Sequence, residues 1–134
     1  MGVSDMMLHI AFLPAELRGV DLTGKVSIVL DIFRATTSIT TAISNGCEAI
    51  YPVLSVEEAR QLAANNPDCL LAGERRSLRI EGFQLGNSPY DFCPETVRGR
   101  RVIMTTTNGT AAIKATEGCH ATLIGAFWND AAVG

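Results

Sequence analysis

A chain of 134 residues, 47% hydrophobic and 19% charged, is long enough for one domain with a real core and too apolar to be a disordered tail. Eleven Lys and Arg against fourteen Asp and Glu give a net charge of −3, which argues against general nucleic-acid binding, an affinity built mainly on phosphate neutralisation. No apolar run reaches the ~18–20 residues of a membrane span, and Met1-Gly2-Val3-Ser4-Asp5 lacks the basic start of a signal peptide, so a cytoplasmic protein without nucleic-acid or membrane partners is expected.

In chain order, Leu8 to Leu13 predicts a first strand closed by Pro14. Val26-Ser27-Ile28-Val29-Leu30 predicts a strand buried on both faces. Ala35, Ile39, Ala42 and Ile43 then fall at helical spacing, and Asn45-Gly46 reads as the helix end. The threonines of this stretch make it a weak intrinsic helix, which suggests that they serve another purpose. Ala49 to Val53 predicts a strand. Ser55-Val56-Glu57-Glu58 is a capping box opening a helix that runs to about Ala64. Cys69 to Ala72 predicts a short strand, and Gly73 to Ser88 a long ordered loop with room for a short strand. Loops of that length are often functional. Arg101 to Thr106 predicts a strand, Thr110 to Thr116 a helix, and Ala121 to Ala126 a strand. Asn129-Asp130 looks like the cap of a further helix, only four residues of which follow. Residues 1–134 are therefore expected to form a single α/β domain, the N-terminal part of a longer chain. The alternation of elements predicts a layered α/β/α arrangement with a largely parallel or mixed sheet. Ligands of such sheets bind beyond the carboxyl ends of the strands.

The cysteines at 47, 69, 93 and 119 show no zinc-ligand spacing and read as reduced thiols. His9 and His120 are lone histidines in strand-like runs. The unusual feature lies elsewhere, in two hydroxyl-rich strand-to-helix junctions: Asp31-Ile32-Phe33-Arg34-Ala35-Thr36-Thr37-Ser38 and Thr105-Thr106-Thr107-Asn108-Gly109-Thr110. Capping a helix needs one or two polar residues; these junctions carry many more. Asp31 could hold a divalent cation, act in proton transfer, or simply cap. Arg34 opposes the helix dipole and so wants an anionic partner. Thr36, Thr37, Ser38, Thr106, Asn108, Gly109 and Thr110 offer hydroxyls and backbone N–H groups of the kind that hold a phosphate. No Gly-Lys-Ser/Thr follows, so this is not a Walker P-loop. A third stretch, Gly73-Glu74-Arg75-Arg76-Ser77-Leu78-Arg79-Ile80-Glu81-Gly82 and Gly86-Asn87-Ser88-Pro89, sets Glu74 at a strand edge like Asp31 and adds a local cluster of arginines. Two carboxylates converging at that edge would suit Mg²⁺.

Asp31-Ile-Phe-Arg-Ala-Thr-Thr-Ser, Ala72-Gly-Glu-Arg, Glu81-Gly-Phe-Gln-Leu-Gly-Asn-Ser-Pro and Thr105-Thr-Thr-Asn-Gly-Thr resemble, in order and across essentially the whole chain, the 2-phosphosulfolactate phosphatase family. Ile32-Phe33 stands where the family often has Val-Leu, and Arg76-Ser77-Leu78 replaces an often smaller stretch. The resemblance implies a Mg²⁺-dependent phosphatase, a phosphoric monoester hydrolase, converting 2-phospho-3-sulfolactate to sulfolactate and phosphate in coenzyme M biosynthesis. On that reading Asp31, Arg34 and Glu74 are catalytic, with Asp31 and Glu74 the metal ligands. Thr36, Thr37, Ser38, Arg75, Asn87, Ser88, Thr106, Asn108, Gly109 and Thr110 hold the small anionic phosphate ester. Attack by water and a phospho-enzyme on Asp31 both remain open, as do a homo-oligomeric state, another phosphorylated 2-hydroxy acid as substrate, and a non-catalytic anion-binding domain. Family chains are substantially longer, so the isolated fragment is expected to have low activity.

Overall fold

The structure, a computed structural model, describes residues 6–134. Its strands are β1 (Val26–Leu30), β2 (Ala49–Pro52), β3 (Leu70–Arg75), β4 (Leu78–Arg79), β5 (Arg101–Thr105) and β6 (Ala121–Gly125). Its α-helices are α1 (Ala35–Ser44), α2 (Val56–Asn65), α3 (Pro94–Val97), α4 (Gly109–Ala115) and α5 (Asp130–Val133), with 3₁₀ turns at Pro14–Leu17, Pro89–Phe92 and Phe127–Asn129. The result is the expected α/β fold.

Strand β5 is the axis. It pairs in parallel with β2 on one side and β3 on the other, and β4 returns antiparallel along β3, giving the order β2-β5-β3-β4. Alternation along β5 divides the interior in two. Val102 and Met104 enter a core with Ile39 and Ala42 of α1, Leu85, Phe92 and Val97. Ile103, on the other face, enters a core with Val53, Ala59 of α2, Cys69, Ile80 and Phe83. Apolar helix faces thus cover both sides of the sheet. Ser55 caps α2 as expected, its Oγ accepting the Glu58 N–H at 3.0 Å. The Glu58 carboxylate reaches one residue further back than a regular capping box and takes the Leu54 N–H at 2.9 Å.

Two expectations fail. Residues 8–13 form no strand, and Leu8, Ile10, Phe12 and Leu13 lie exposed. A strand needs a ladder partner, and among the described residues none runs beside this stretch. Nor is β1 buried on both faces: only Val29 is, while Val26, Ile28 and Leu30 are 58%, 49% and 66% exposed. Among the described residues, strand β1 pairs in parallel with β6 alone, in a two-stranded sheet separate from the other four strands. Helices α1 and α4 contact this pair, and among the described residues no helix covers the face that carries Val26, Ile28 and Leu30.

The stretch after Ala72 is also more ordered than a loop. Strand β3 continues through Glu74 to Arg75 and turns into β4 over Arg76-Ser77, with Arg75 opposite Leu78. Both turn residues have positive φ, 53° and 65°. That is the backbone of a tight primed hairpin turn, normally built from Asn-Gly. Replacing Ser77 by Gly should remove steric cost there and stabilise the fold by about 0.5–1 kcal/mol, read as a higher denaturation midpoint at unchanged m-value.

Candidate active site

The two hydroxyl-rich junctions meet. Gly109, the first residue of α4, lies so close to the start of α1 that a Cβ on it would stand 2.2 Å from the Ala35 Cβ and 2.8 Å from Asp31 Oδ2. Only a residue without a side chain lets the two strand ends close on each other. Strand β3 joins them through Gly73 (φ 155°), where a Cβ would stand 2.1 Å from the Thr105 carbonyl oxygen. The next residue, Glu74, is buried, and each of its carboxylate oxygens accepts a backbone N–H: Oε1 that of Thr107 at 2.7 Å, Oε2 that of Ser77 at 2.9 Å. Asp31, Glu74 and the 105–110 loop therefore share one edge of the molecule.

The hydroxyls are largely engaged in shaping that edge. Thr36 Oγ1 accepts the Asp31 N–H at 3.0 Å, and Thr37 Oγ1 donates to the Ile32 carbonyl at 2.8 Å, so α1 closes back on its own entry turn. Ser38 Oγ donates to the Asn87 carbonyl at 2.9 Å and brings the 86–88 segment against α1. Thr106 and Thr110 cap reciprocally: the N–H of each donates to the Oγ1 of the other at 3.0 Å. Arg75 is engaged as well, donating to the Glu74 carbonyl at 2.8 Å, Thr105 Oγ1 at 2.9 Å and the Leu54 carbonyl at 3.4 Å. Thr105 and Thr107, which nothing in the residue pattern separates from their neighbours, thus anchor the loop alongside the predicted Thr106 and Thr110. Outward from this frame, Arg34 sits half-buried beside Asp31, Asn108 is exposed, and Ser88 is half-buried after Asn87. Asn87 is buried, and its Oδ1 has no hydrogen-bond partner among the described residues. A buried amide oxygen without a donor is costly, so it marks a place where a water, a cation or a ligand group is wanted.

The two carboxyls have opposite electrostatics. Burial pushes the Asp31 pKa up; the Ala35 and Arg34 N–H groups and the Arg34 charge pull it back, Glu74 adds repulsion, and the net shift is upward. Burial acts on Glu74 in the same sense, but the Thr107 and Ser77 N–H groups and the Arg75 charge outweigh it and hold its carboxyl below the usual range.

Among the described residues no group of three or more His, Cys, Asp and Glu comes together. A hard cation that keeps waters and takes one or two carboxylates plus substrate oxygens fits this sparse set; a metal that needs a full protein cage does not. Asp31 and Glu74, close enough for the charge of one to act on the other, are compatible with Mg²⁺, and the orphan Asn87 oxygen belongs to the segment that Ser38 ties to α1. A groove of about 580 Å³ between the β2 edge, the end of α4 and the start of β6 contains none of these residues.

The sequence profile described as 2-phosphosulpholactate phosphatase matches residues 11–134. A protein of Clostridium acetobutylicum named probable 2-phosphosulfolactate phosphatase is 44% identical over 119 residues, covering 88% of this chain and 51% of the relative. Proteins of the same name from Symbiobacterium thermophilum and Caldanaerobacter subterraneus are 46% and 47% identical, over 90% and 84% of this chain and 51% and 48% of their own lengths. The chain thus spans about half the length of the curated relatives it matches.

Two consequences are measurable. An Asp whose folded pKa is raised destabilises the fold once ionised. The penalty is absent below its unfolded pKa of about 3.9 and complete above the folded value. Asp31→Asn should therefore raise the melting temperature at pH 7–8 in EDTA, with the gain shrinking towards pH 4. Gly109→Ala forces the junctions apart and should cost about 1–3 kcal/mol by denaturant titration.

Proposed function

That the chain belongs to the 2-phosphosulfolactate phosphatase family is the premise from which we propose its activity: Mg²⁺-dependent hydrolysis of 2-phospho-3-sulfolactate, or of a closely related phosphorylated 2-hydroxy acid, in the cytoplasm, as a step of the coenzyme M biosynthesis type. The observation that carries it is the approach of Gly109 to Asp31, which makes one site of the two junctions.

In this reading Asp31 and Glu74 hold the ion, with water completing its shell. When bound, Mg²⁺ supplies Lewis-acid polarisation of a phosphoryl oxygen. Arg34 meets the phosphoryl oxygens with a charge that its place at a helix start leaves unsatisfied. Asn108, beyond the Thr106–Thr110 cap, offers a polar group to the same oxygens. Thr36, Thr37, Ser38, Thr106 and Thr110 hold these groups in place through the bonds they already make, so little ordering is left to be done on binding. Asn87 and Ser88 line the neighbouring wall and orient the rest of the substrate.

Phosphate release from 2-phospho-3-sulfolactate and a panel of phosphorylated 2-hydroxy acids tests this, on this chain and on a chain of the relatives' length. Release should require Mg²⁺, stop with EDTA, and fall about 100-fold or more in a folded Asp31→Asn variant. No release from either chain with Mg²⁺ present, or near-normal turnover by the variant, would overturn the proposal.

A further inference from the structure

The two faces of the β1–β6 pair are filled the wrong way round for a finished surface. The register sets Val26, Ile28 and Leu30 of β1 beside Ala121, Leu123 and Gly125 of β6, so these positions share one face. A Cβ on Gly125 would stand 2.5 Å from Leu30 Cδ2 and 3.3 Å from Ile28 Cγ2, as expected of side chains on the same side. This face carries no polar side chain, yet Val26, Ile28, Leu30 and Leu123 are exposed. The polar side chains lie on the opposite face. There Ser27 Oγ meets Cys119 Sγ at 2.8 Å and Thr122 Oγ1 donates to Thr116 Oγ1 at 2.8 Å, beside the buried Val29 and with Ile124 against the first core.

A sheet with one wet side puts its polar residues there, and parallel strands are normally covered by helices on both faces. Two strands are marginal as a sheet unless more structure packs on them. Contiguous exposed apolar patches mark interaction sites. The family has chain to cover this one: the curated relatives carry about as much again outside the span they share with this sequence. A second copy would offer only the same strand pair, sheet against sheet, where parallel strands take helices.

We propose that the face of Val26, Ile28, Leu30 and Leu123 is the docking surface for the part of the family's chain outside this span, which lays an apolar helix face across it. The surface stands whether or not the chain is a phosphatase. It also bears on the candidate site. Asp31 follows directly on Leu30, so whatever docks on this face holds the strand end that presents Asp31.

The test compares this chain with the Clostridium acetobutylicum relative, 44% identical. Ile28→Cys here, and the same change at the aligned position of the relative, put a thiol on the face. Maleimide labelling under native conditions, followed peptide by peptide by mass spectrometry, tells it from the native cysteines. Labelling at that position should be about tenfold or more slower in the relative than in this chain. Ile28→Thr keeps a β-branched residue and gives a second readout. The denaturation midpoint of this chain should hold or rise, whereas the aligned change should lower that of the relative. Equal labelling rates, or midpoints that move alike in both proteins, would overturn the proposal. So would protection in the relative that is lost on dilution from dimer to monomer, or a dimer of this chain that Ile28→Thr dissolves, since either gives the face to a second copy.

Discussion

A carboxylate taken out of water must find donors, and Glu74 finds its two on different segments, at the tip of one hairpin and in the middle of the loop opposite. Around that carboxylate the surrounding geometry becomes intelligible. The hairpin can afford two non-glycine residues at positive φ because an acceptor waits for the Ser77 N–H. The 105–110 loop needs no glycine before residue 109, since Arg75 holds Thr105, Thr110 holds Thr106 and Glu74 holds Thr107. Each of three consecutive residues is fixed by a different side chain, so the loop cannot shift without breaking several bonds together.

Asp31 shows the opposite design. Its net charge is disfavoured where it stands, which is the usual condition of a group kept for chemistry or for a cation. One carboxyl stabilises the folded site as an anion, and the other waits for something positive. The difference is one of balance: burial opposes ionisation of both, and two backbone N–H groups with an arginine charge overcome it at Glu74 but not at Asp31, where the charge of Glu74 adds repulsion.

Much of this was legible in the residues. Strand-to-helix junctions rich in Thr, a Gly at 109 and the Ser55 capping box announce themselves locally, because hydroxyl caps and glycines act over a few positions. The hairpin did not announce itself, since Arg76-Ser77 has none of the turn chemistry that marks such turns and is held by a residue that only folding brings near. The threonines looked like ligand groups because their number exceeds what caps require; most of them proved to bond backbone, and which partner each one takes depends on tertiary contacts such as that from Ser38 to Asn87. The apolar run of residues 8–13 has strand periodicity without a strand partner, and the run at 26–30 has the composition of a two-sided core strand while only one side is covered. Composition reports what a segment would bury and is silent on what arrives to cover it.

The uneven cover of the two sheets gives the site a mechanical character. Glu74 and the 105–110 loop issue from strands packed between two cores, whereas Asp31 issues from a two-stranded pair with one bare face. The edge where they meet is a joint between a stiff half and a compliant half. In amide hydrogen exchange the compliant half should open first. A ligand gripping both carboxyls would act as a pin through that joint, so the protection it confers should spread from Leu30, beside Asp31, back along the strand to Val26.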